Sequence, residues 1–99
     1  MKENNGCNYI PLSDLMVGHS AQIIKIDKYI SPIAFHRLED MGIRAGAFVY
    51  CERKSIFGDP GAYRLEGSYT LIAVRRSDAD HILIKESRSQ KDGRYGIDT

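Results

Sequence analysis

Residues 9–86 contain several short runs in which apolar and polar positions alternate, a spacing typical of β-strands. The runs cover residues 19–27, 47–53, 63–65, 69–74 and 82–85. In the second run Val49 and Cys51 are predicted to face the core, and Phe48 and Tyr50 to face the other way. About five short strands joined by tight turns predict a small closed or half-closed barrel.

One helix is predicted between the first two strands. Ser31 is placed to cap the first free N–H groups, and Pro32 suits the first helical position. An apolar stripe follows at helical spacing, made of Ala34, Phe35, Leu38 and Met41. Gly42 comes where a left-handed residue ends a helix. The pattern therefore predicts an amphipathic helix of about ten residues that packs on the sheet.

Two shorter helical turns and one chain reversal complete the prediction. Pro11–Leu15 is predicted as a single turn with its leucines inward. Ser77, with Asp80 three residues later, resembles a capping box that starts another turn. The Asp59-Pro60-Gly61 segment predicts a tight turn between strands, with proline at the second turn position and glycine at the third.

Length and composition limit the class of protein. Ninety-nine residues make one domain, and 42% apolar with 27% charged residues is typical of a globular chain. The chain contains no run of about 18 apolar residues, so no membrane-spanning helix is predicted. Lys and Arg together exceed Asp and Glu by one, so the net charge gives no general attraction to nucleic acid. Arg75 and Arg76 are neighbours in a predicted strand and are expected to point to opposite faces, so they would not form one basic surface.

The chain divides into three zones. Residues 1–8 are polar and predicted to be a flexible N-terminal tail, and residues 87–99 a flexible C-terminal tail. Residues 9–86 hold nearly all the aliphatic side chains and form the predicted domain. The polar N-terminus has no apolar signal core, and two cysteines are too few for a disulfide scaffold, so we expect a cytoplasmic protein with reduced thiols.

The Cys and His residues are the candidates for catalysis and for metal binding. A nucleophile–base pair would have to combine Cys7 or Cys51 with His19, His36 or His81, and no nucleophile motif surrounds either thiol. No two of these residues have the spacing of two to five positions that structural metal sites use. We therefore predict no enzyme activity and no cofactor, while a weak transition-metal site built from distant His and carboxylate side chains stays open.

Bulky side chains gather around one hairpin of the predicted barrel. They are Phe48, Tyr50, Ile56 and Phe57. Scattered apolar exposure is common and requires no explanation. Clustered aromatic residues on a small domain also mark partner sites, and both interpretations remain open at this point.

Several segments in order resemble the FeoA family. The segments are residues 11–15, Val17-Gly18, residues 37–43 with Gly46 after them, residues 58–60, and residues 72–76 with Ala79 and Ile82. The resemblance covers about residues 10–86. It implies an all-β, SH3-like barrel with a short helical insertion and one or two helical turns. Cys51 and Glu39 depart from the family pattern, where apolar or neutral residues are frequent.

The resemblance also implies a function. FeoA proteins are accessories of ferrous iron uptake, thought to act through FeoB, a membrane transporter with a cytosolic GTP-binding domain. The hypothesis is a non-catalytic module that binds and modulates a FeoB-like transporter, with neither nucleic acid binding nor direct membrane insertion. Its oligomeric state is left open.

The predicted partner-binding residues lie in two segments that are expected to face each other. They are Met41, Gly42 and Ile43 at the helix exit, and Phe57, Asp59 and Pro60 in the hairpin loop. Met41 and Ile43 are expected to supply apolar contact, and Phe57 an anchor. The alternative hypothesis is a metal-responsive regulatory domain, similar to the SH3-like C-terminal domain of iron-dependent repressors, with its metal ligands unknown.

Overall fold

The computed structural model describes residues 9–87 of the chain. The tails predicted at 1–8 and 87–99 lie outside these residues, apart from Ser87. Six strands form the domain: β1 (Ile10–Pro11), β2 (Ser20–Ile26), β3 (Phe48–Lys54), β4 (Gly61–Leu65), β5 (Leu71–Val74) and β6 (Ile82–Glu86). The helices are a 3₁₀ turn (Leu12–Asp14), α1 (Pro32–Asp40) and α2 (Arg76–Ala79). The predicted all-β class with a helical insertion is confirmed, with one strand more than the five predicted.

All strand pairs are antiparallel, in the order β1-β6-β2-β3-β4-β5. Side chains link the 3₁₀ turn beside β1 to the middle of the sheet. Tyr63 donates a hydrogen bond from its hydroxyl to the carbonyl of Leu12 at 3.4 Å, and the Lys54 Nζ donates to the carbonyl of Ser13 at 2.8 Å. The sheet therefore curls back on itself into a half-closed barrel.

The core follows the alternation of the strands. Val49 and Cys51 are buried as predicted, with Phe48 exposed and Tyr50 half-buried on the other face of β3. Leu12 and Leu15 are also fully buried, which confirms the predicted orientation of the first helical turn. These buried residues belong to one hydrophobic core cluster, which also holds most of the other aliphatic side chains of the domain.

Helix α1 begins where the sequence predicts. Ser31 Oγ accepts a hydrogen bond from the backbone N–H of Ala34 at 3.1 Å. Ala34 and Leu38 are buried, but Met41 is 38% exposed and lies just past the helix as its C-cap. Met41 was predicted to complete the buried stripe, and that part of the prediction is wrong because the helix has already ended.

The exit from α1 explains where the following residues lie. Gly42 has φ of +99°, and its N–H donates to the carbonyl of Glu39. The N–H of Ile43 donates to the carbonyl of Leu38 at 2.9 Å. This pair of bonds is a Schellman motif, in which the second residue past the cap turns its side chain inward. Ile43 is accordingly fully buried.

Two local predictions are wrong. The chain reverses at Ser55–Gly58, where the N–H of Gly58 donates to the carbonyl of Ser55 at 2.8 Å, and Gly61 is the first residue of β4. Helix α2 begins at Arg76, and no side chain of its own first turn caps it, so Ser77 does not form the predicted capping box. Both differences arise from contacts of Asp59, described below.

Candidate partner-binding surface

The tip of the β3–β4 hairpin presents two adjacent apolar side chains. Ile56 and Phe57 occupy the two central positions of the turn and are 93% and 89% exposed. Gly58 follows with φ of +81°, a conformation that a side chain would strain. Exposed apolar residues are normal one at a time, but two neighbours at the end of a hairpin offer a compact contact surface. We call Ile56 and Phe57 the hairpin tip.

Hydrogen bonds hold the turn behind the tip. The Ser55 hydroxyl donates to the carbonyl of Asp59 at 2.7 Å and accepts from its N–H at 3.0 Å. The Ser55 N–H donates to the carbonyl of Pro60 at 3.2 Å. One carboxylate oxygen of Asp59 then accepts from the N–H of Arg76 at 2.9 Å, which ties the loop to the start of α2. The apolar side chains therefore project from a backbone with defined contacts.

Cationic side chains surround the base of the tip. Arg53 is exposed on β3, and the pairing of Gly61 with Val74 brings Arg75 to the side of the loop. Lys54 is half-buried and directs its ammonium toward the 3₁₀ turn. The Asp59 carboxylate is used in the contact with α2, and the Asp78 carboxylate lies 3.7 Å from Nε of Arg75. The tip is thus an apolar surface with arginines beside it.

The helix exit lies at the other end of the same hairpin. A Cβ built on Gly42 would lie 2.6 Å from Cδ1 of Leu65, and Leu65 pairs with Val49 at the start of β3. Lys54, next to the tip, is five residues further along β3, or about 17 Å of strand. The two segments predicted to face each other are therefore separated. Sequence reasoning missed this because it did not determine which end of the hairpin α1 contacts.

The predicted residues of the helix exit differ in their accessibility. Met41 exposes part of its side chain, whereas Ile43 is fully buried beneath the exit of α1. The prediction that Ile43 supplies surface contact is wrong for this structure because the Schellman motif directs it into the core. Gly42 provides the bend, as predicted.

The aromatic residues at the hairpin base form a second surface. Phe48 and Tyr50 line an open groove of about 410 Å³ together with Arg64. The guanidinium of Arg64 lies 5.0 Å from the centre of the Tyr50 ring, a cation–π arrangement, and 3.4 Å from the carboxylate of Glu52. The four bulky residues grouped together from the sequence are thus divided between two surfaces. The alternation along β3 and β4 could have indicated this groove, since Arg64 is the direct partner of Tyr50.

The Cys51 thiol and the Tyr63 hydroxyl are buried in the core, where their surroundings favour the protonated form. Burial raises the pKa of the Cys51 thiol, with Lys54 opposing this shift and Glu52 adding to it. Burial also raises the pKa of the Tyr63 hydroxyl to about 12. A thiol acts as a nucleophile only as the thiolate, so the environment of Cys51 disfavours the reactive form. Cys7 lies outside the described residues.

Two histidines each lie next to a carboxylate, and the two pairs are at different places in the fold. The His19 ring nitrogen Nδ1 contacts the Glu86 carboxylate, and His81 Nδ1 lies 3.7 Å from that of Asp27. His36 packs edge-on against the ring of Phe35. Within residues 9–87, no three His, Cys, Asp or Glu side chains converge in a way that could hold a metal ion.

No helix in the described part of the chain is long and apolar enough to cross a membrane.

The family model for the FeoA domain matches residues 10–86. This match spans the whole sheet, the helical insertion and the hairpin tip. No curated protein matches the chain.

Solved structures share the fold over most of the domain. A FeoA-like protein from Clostridium acetobutylicum is 31% identical, with a TM-score of 0.67 over 79% of this chain and 86% of that one. FeoA from Stenotrophomonas maltophilia, an SH3 domain protein complexed with zinc, is 24% identical, with a TM-score of 0.64 over 77% and 89%. A manganese-dependent transcriptional repressor is 11% identical, with a TM-score of 0.73 over 83% of this chain and 38% of the repressor. These likenesses confirm the SH3-like barrel predicted from the sequence.

Proposed function

The chain belongs to the FeoA domain family, and we propose that it is a non-catalytic accessory of ferrous iron uptake that binds a FeoB-like membrane transporter. The contact would be with the cytosolic part of the transporter, where its GTP-binding domain lies. A cytoplasmic location of the chain is part of this proposal.

The observation that carries the proposal is the exposure of Ile56 and Phe57 at the end of a hydrogen-bonded turn. Burying a large apolar side chain in a partner contributes about 1.5–3 kcal/mol, and buried aromatic anchors commonly dominate interfaces. Because the turn is already held by Ser55 and Asp59, little backbone freedom is lost on binding. Phe57 is the proposed anchor, and Asp59 and Pro60 hold its turn through their hydrogen bonds with Ser55.

The arginines beside the tip indicate what the partner surface must offer. An apolar pocket with carboxylates at its edge would complement Phe57 together with Arg53 and Arg75. Met41, at the far end of the hairpin, would be a separate and weaker contact. Ile43 is left out because it is buried.

Modulation of the transporter would follow from differential affinity. A bound module alters a conformational equilibrium only if it binds one state more tightly than another. The GTP-binding domain supplies such states, since nucleotide contacts order switch segments that are released after hydrolysis.

The test is binding of purified chain to the purified cytosolic part of FeoB, measured by pull-down and titration. Phe57→Ser should weaken binding at least about tenfold, which corresponds to about 1.4 kcal/mol. Tyr29→Ser is the matched control, because Tyr29 is also an exposed aromatic residue but lies before α1, away from the tip. Unchanged binding by folded Phe57→Ser would contradict the role of the tip, and absence of binding by the wild type would contradict the partner.

The alternative of a metal-responsive regulatory domain makes a different prediction. The likeness to the manganese-dependent repressor, at 11% identity, concerns the fold alone. Titration of the full chain with ferrous iron or zinc under reducing conditions separates the two hypotheses. Stoichiometric micromolar binding that also changes the affinity for a partner would favour the regulatory domain.

A further inference from the structure

Strand β5 forms an edge of the sheet. It pairs with β4 on one side, and no other strand of the described residues pairs with it on the other. Its sequence, Leu71-Ile72-Ala73-Val74, has neither a charged residue nor a proline. Edge strands are usually protected by such residues or by a covering element, because their free N–H and C=O groups can pair with another chain.

The backbone hydrogen bonds of β5 leave its outer side available. In an antiparallel ladder, alternate residues direct their N–H and C=O groups away from the neighbouring strand. Within residues 9–87, the hydrogen-bond partners of the β5 backbone lie on β4. The outward-facing side chains, Leu71 and Ala73, are exposed as well. Among the described residues, the outer backbone edge of β5 therefore has no strand partner, and one face of the strand is exposed.

We propose that β5 pairs antiparallel with β5 of a second copy of this chain and joins the two sheets into one. A two-fold axis perpendicular to the sheet keeps the core faces of both copies on the same side, so residues of like face must lie opposite each other. A register centred on Ile72 meets this condition. It places Leu71 opposite Ala73 of the second copy, a large side chain against a small one.

In the same register, the residues that flank the two ends of β5 also face residues of the second copy. Tyr69, two residues before β5, is 97% exposed, and extending the pairing to this residue would place it opposite Arg75 of the second copy. Arg75 follows β5 with an extended backbone, so strand alternation puts it in line with Leu71 and Ala73; its side chain is 67% exposed, and its Nε lies 3.7 Å from the Asp78 carboxylate of α2. A guanidinium over a tyrosine ring is a favourable cation–π pair, and the symmetry forms it twice. A register centred on Ala73 would instead place Arg75 opposite Leu71.

The self-complementarity of this edge favours a second copy over a different extended segment. Uncharged residues occupy the middle, an aromatic residue lies at one end and a cation at the other, and a two-fold axis brings unlike ends together. The two hairpin tips would lie at opposite ends of the pair and stay accessible. The proposal does not depend on the identity of the transporter partner.

Sedimentation velocity of the wild-type chain tests the pairing, from about 10 µM to about 1 mM, the range expected for a short interface. We expect a monomer–dimer equilibrium. Ala73→Lys should raise the dimer dissociation constant at least about tenfold, since it places a charge opposite Leu71 at the centre of the interface. Tyr69→Arg should also weaken the dimer, because arginines would then face each other.

The exchange variant Tyr69→Arg/Arg75→Tyr tests the register, because it restores an arginine opposite a tyrosine and should recover the dimer. Ile33→Lys is the matched control, with the same charge placed on an exposed aliphatic position of α1. Circular dichroism would verify that each variant is folded. A wild type that is monomeric throughout, a dimer insensitive to Ala73→Lys, or one lost in Ile33→Lys would overturn the proposal. Failure of the exchange to recover the dimer would overturn the register.

Discussion

Asp59 accepts a hydrogen bond through Oδ1 from the backbone N–H of Arg76 at 2.9 Å, so a residue of the hairpin loop caps a helix 17 positions later. Helix α2 lacks a side-chain cap of its own at Arg75. This one bond therefore satisfies a free helical N–H and also fixes the loop that carries the hairpin tip. The same carboxylate contributes to stability and to the shape of the proposed binding surface.

Replacing Asp59 with alanine should lower the free energy of unfolding by about 1 kcal/mol, the usual effect of losing a cap. Urea denaturation measures this change. Asp59→Asn keeps an acceptor oxygen and should retain most of the stability. A loss in Asp59→Asn as large as that in Asp59→Ala would show that charge, rather than the hydrogen bond, is responsible.

Gly42 and Gly46 provide a matched pair at the exit of α1. Both have positive φ, at +99° and +93°, but a Cβ on Gly42 would lie 2.6 Å from Leu65 whereas a Cβ on Gly46 would meet nothing within 4 Å. Gly46→Ala should cost about 1 kcal/mol for the backbone conformation alone. Gly42→Ala should cost about 2–3 kcal/mol, because Leu65 must also move within the packed region. Equal losses in urea denaturation would contradict the contact with Leu65.

Stability should fall at alkaline pH. The folded-state pKa of Tyr63 is raised to about 12 and that of Cys51 is also raised, from ordinary values of 10.0 and 9.0. Above these ordinary values the unfolded chain loses protons that the folded chain retains, so the free energy of unfolding decreases as pH rises. The contribution of Tyr63 is fully present below about pH 10 and is lost between there and about pH 12, and that of Cys51 begins to be lost as the pH rises past about 9.

Tyr63→Phe isolates the tyrosine part of this effect. It removes the ionisable hydroxyl and the long hydrogen bond to Leu12, while the ring can stay in place. Thermal unfolding measured from neutral to alkaline pH should therefore show a shallower decline for the variant than for the wild type. Identical slopes would contradict the raised pKa of Tyr63.

Asp78 is the only charged side chain among the buried residues of the described part of the chain, and two arginines approach it. Arg37 lies 3.3 Å and Arg75 3.7 Å from the same carboxylate oxygen. Each single alanine variant leaves one arginine, whereas Arg37→Ala/Arg75→Ala leaves a buried carboxylate without a countercharge. The loss in the double variant should exceed the sum of the single losses by at least about 0.5 kcal/mol.

A double-mutant cycle in urea measures this coupling. Adding Asp78→Asn to the double variant should recover part of the lost stability, since the unpaired charge is then absent. Additive single losses would indicate that water already screens the carboxylate.

Much of the architecture was predictable because the relevant forces act over a few residues. The alternation along β3 correctly assigned Val49 and Cys51 to the core. Ser31 was recognisable as the cap of α1 and Gly42 as its end, since both roles depend on local backbone geometry. The proposed anchor Phe57 was also correctly expected to lie in the loop of a hairpin.

The failures concern relations between distant segments. Ser77 was a plausible cap for α2 by spacing, but Asp59 occupies that role from another part of the chain. The turn lies at Ser55–Gly58 because the Ser55 hydroxyl closes a loop with Asp59, a contact that residue preferences alone do not specify. Sequence patterns contain no distances, and so they could not separate the helix exit from the hairpin tip.

By itself, the order of apolar, polar and glycine residues determined which segments become strands or helices and which side of each is buried. It could do so because periodicity and capping depend on neighbours along the chain. Only the tertiary structure decided that Ile43 is interior, that the hairpin ends lie apart, and that β5 is an edge. Those outcomes depend on which strand pairs with which, and pairing is set by the packing of the whole barrel.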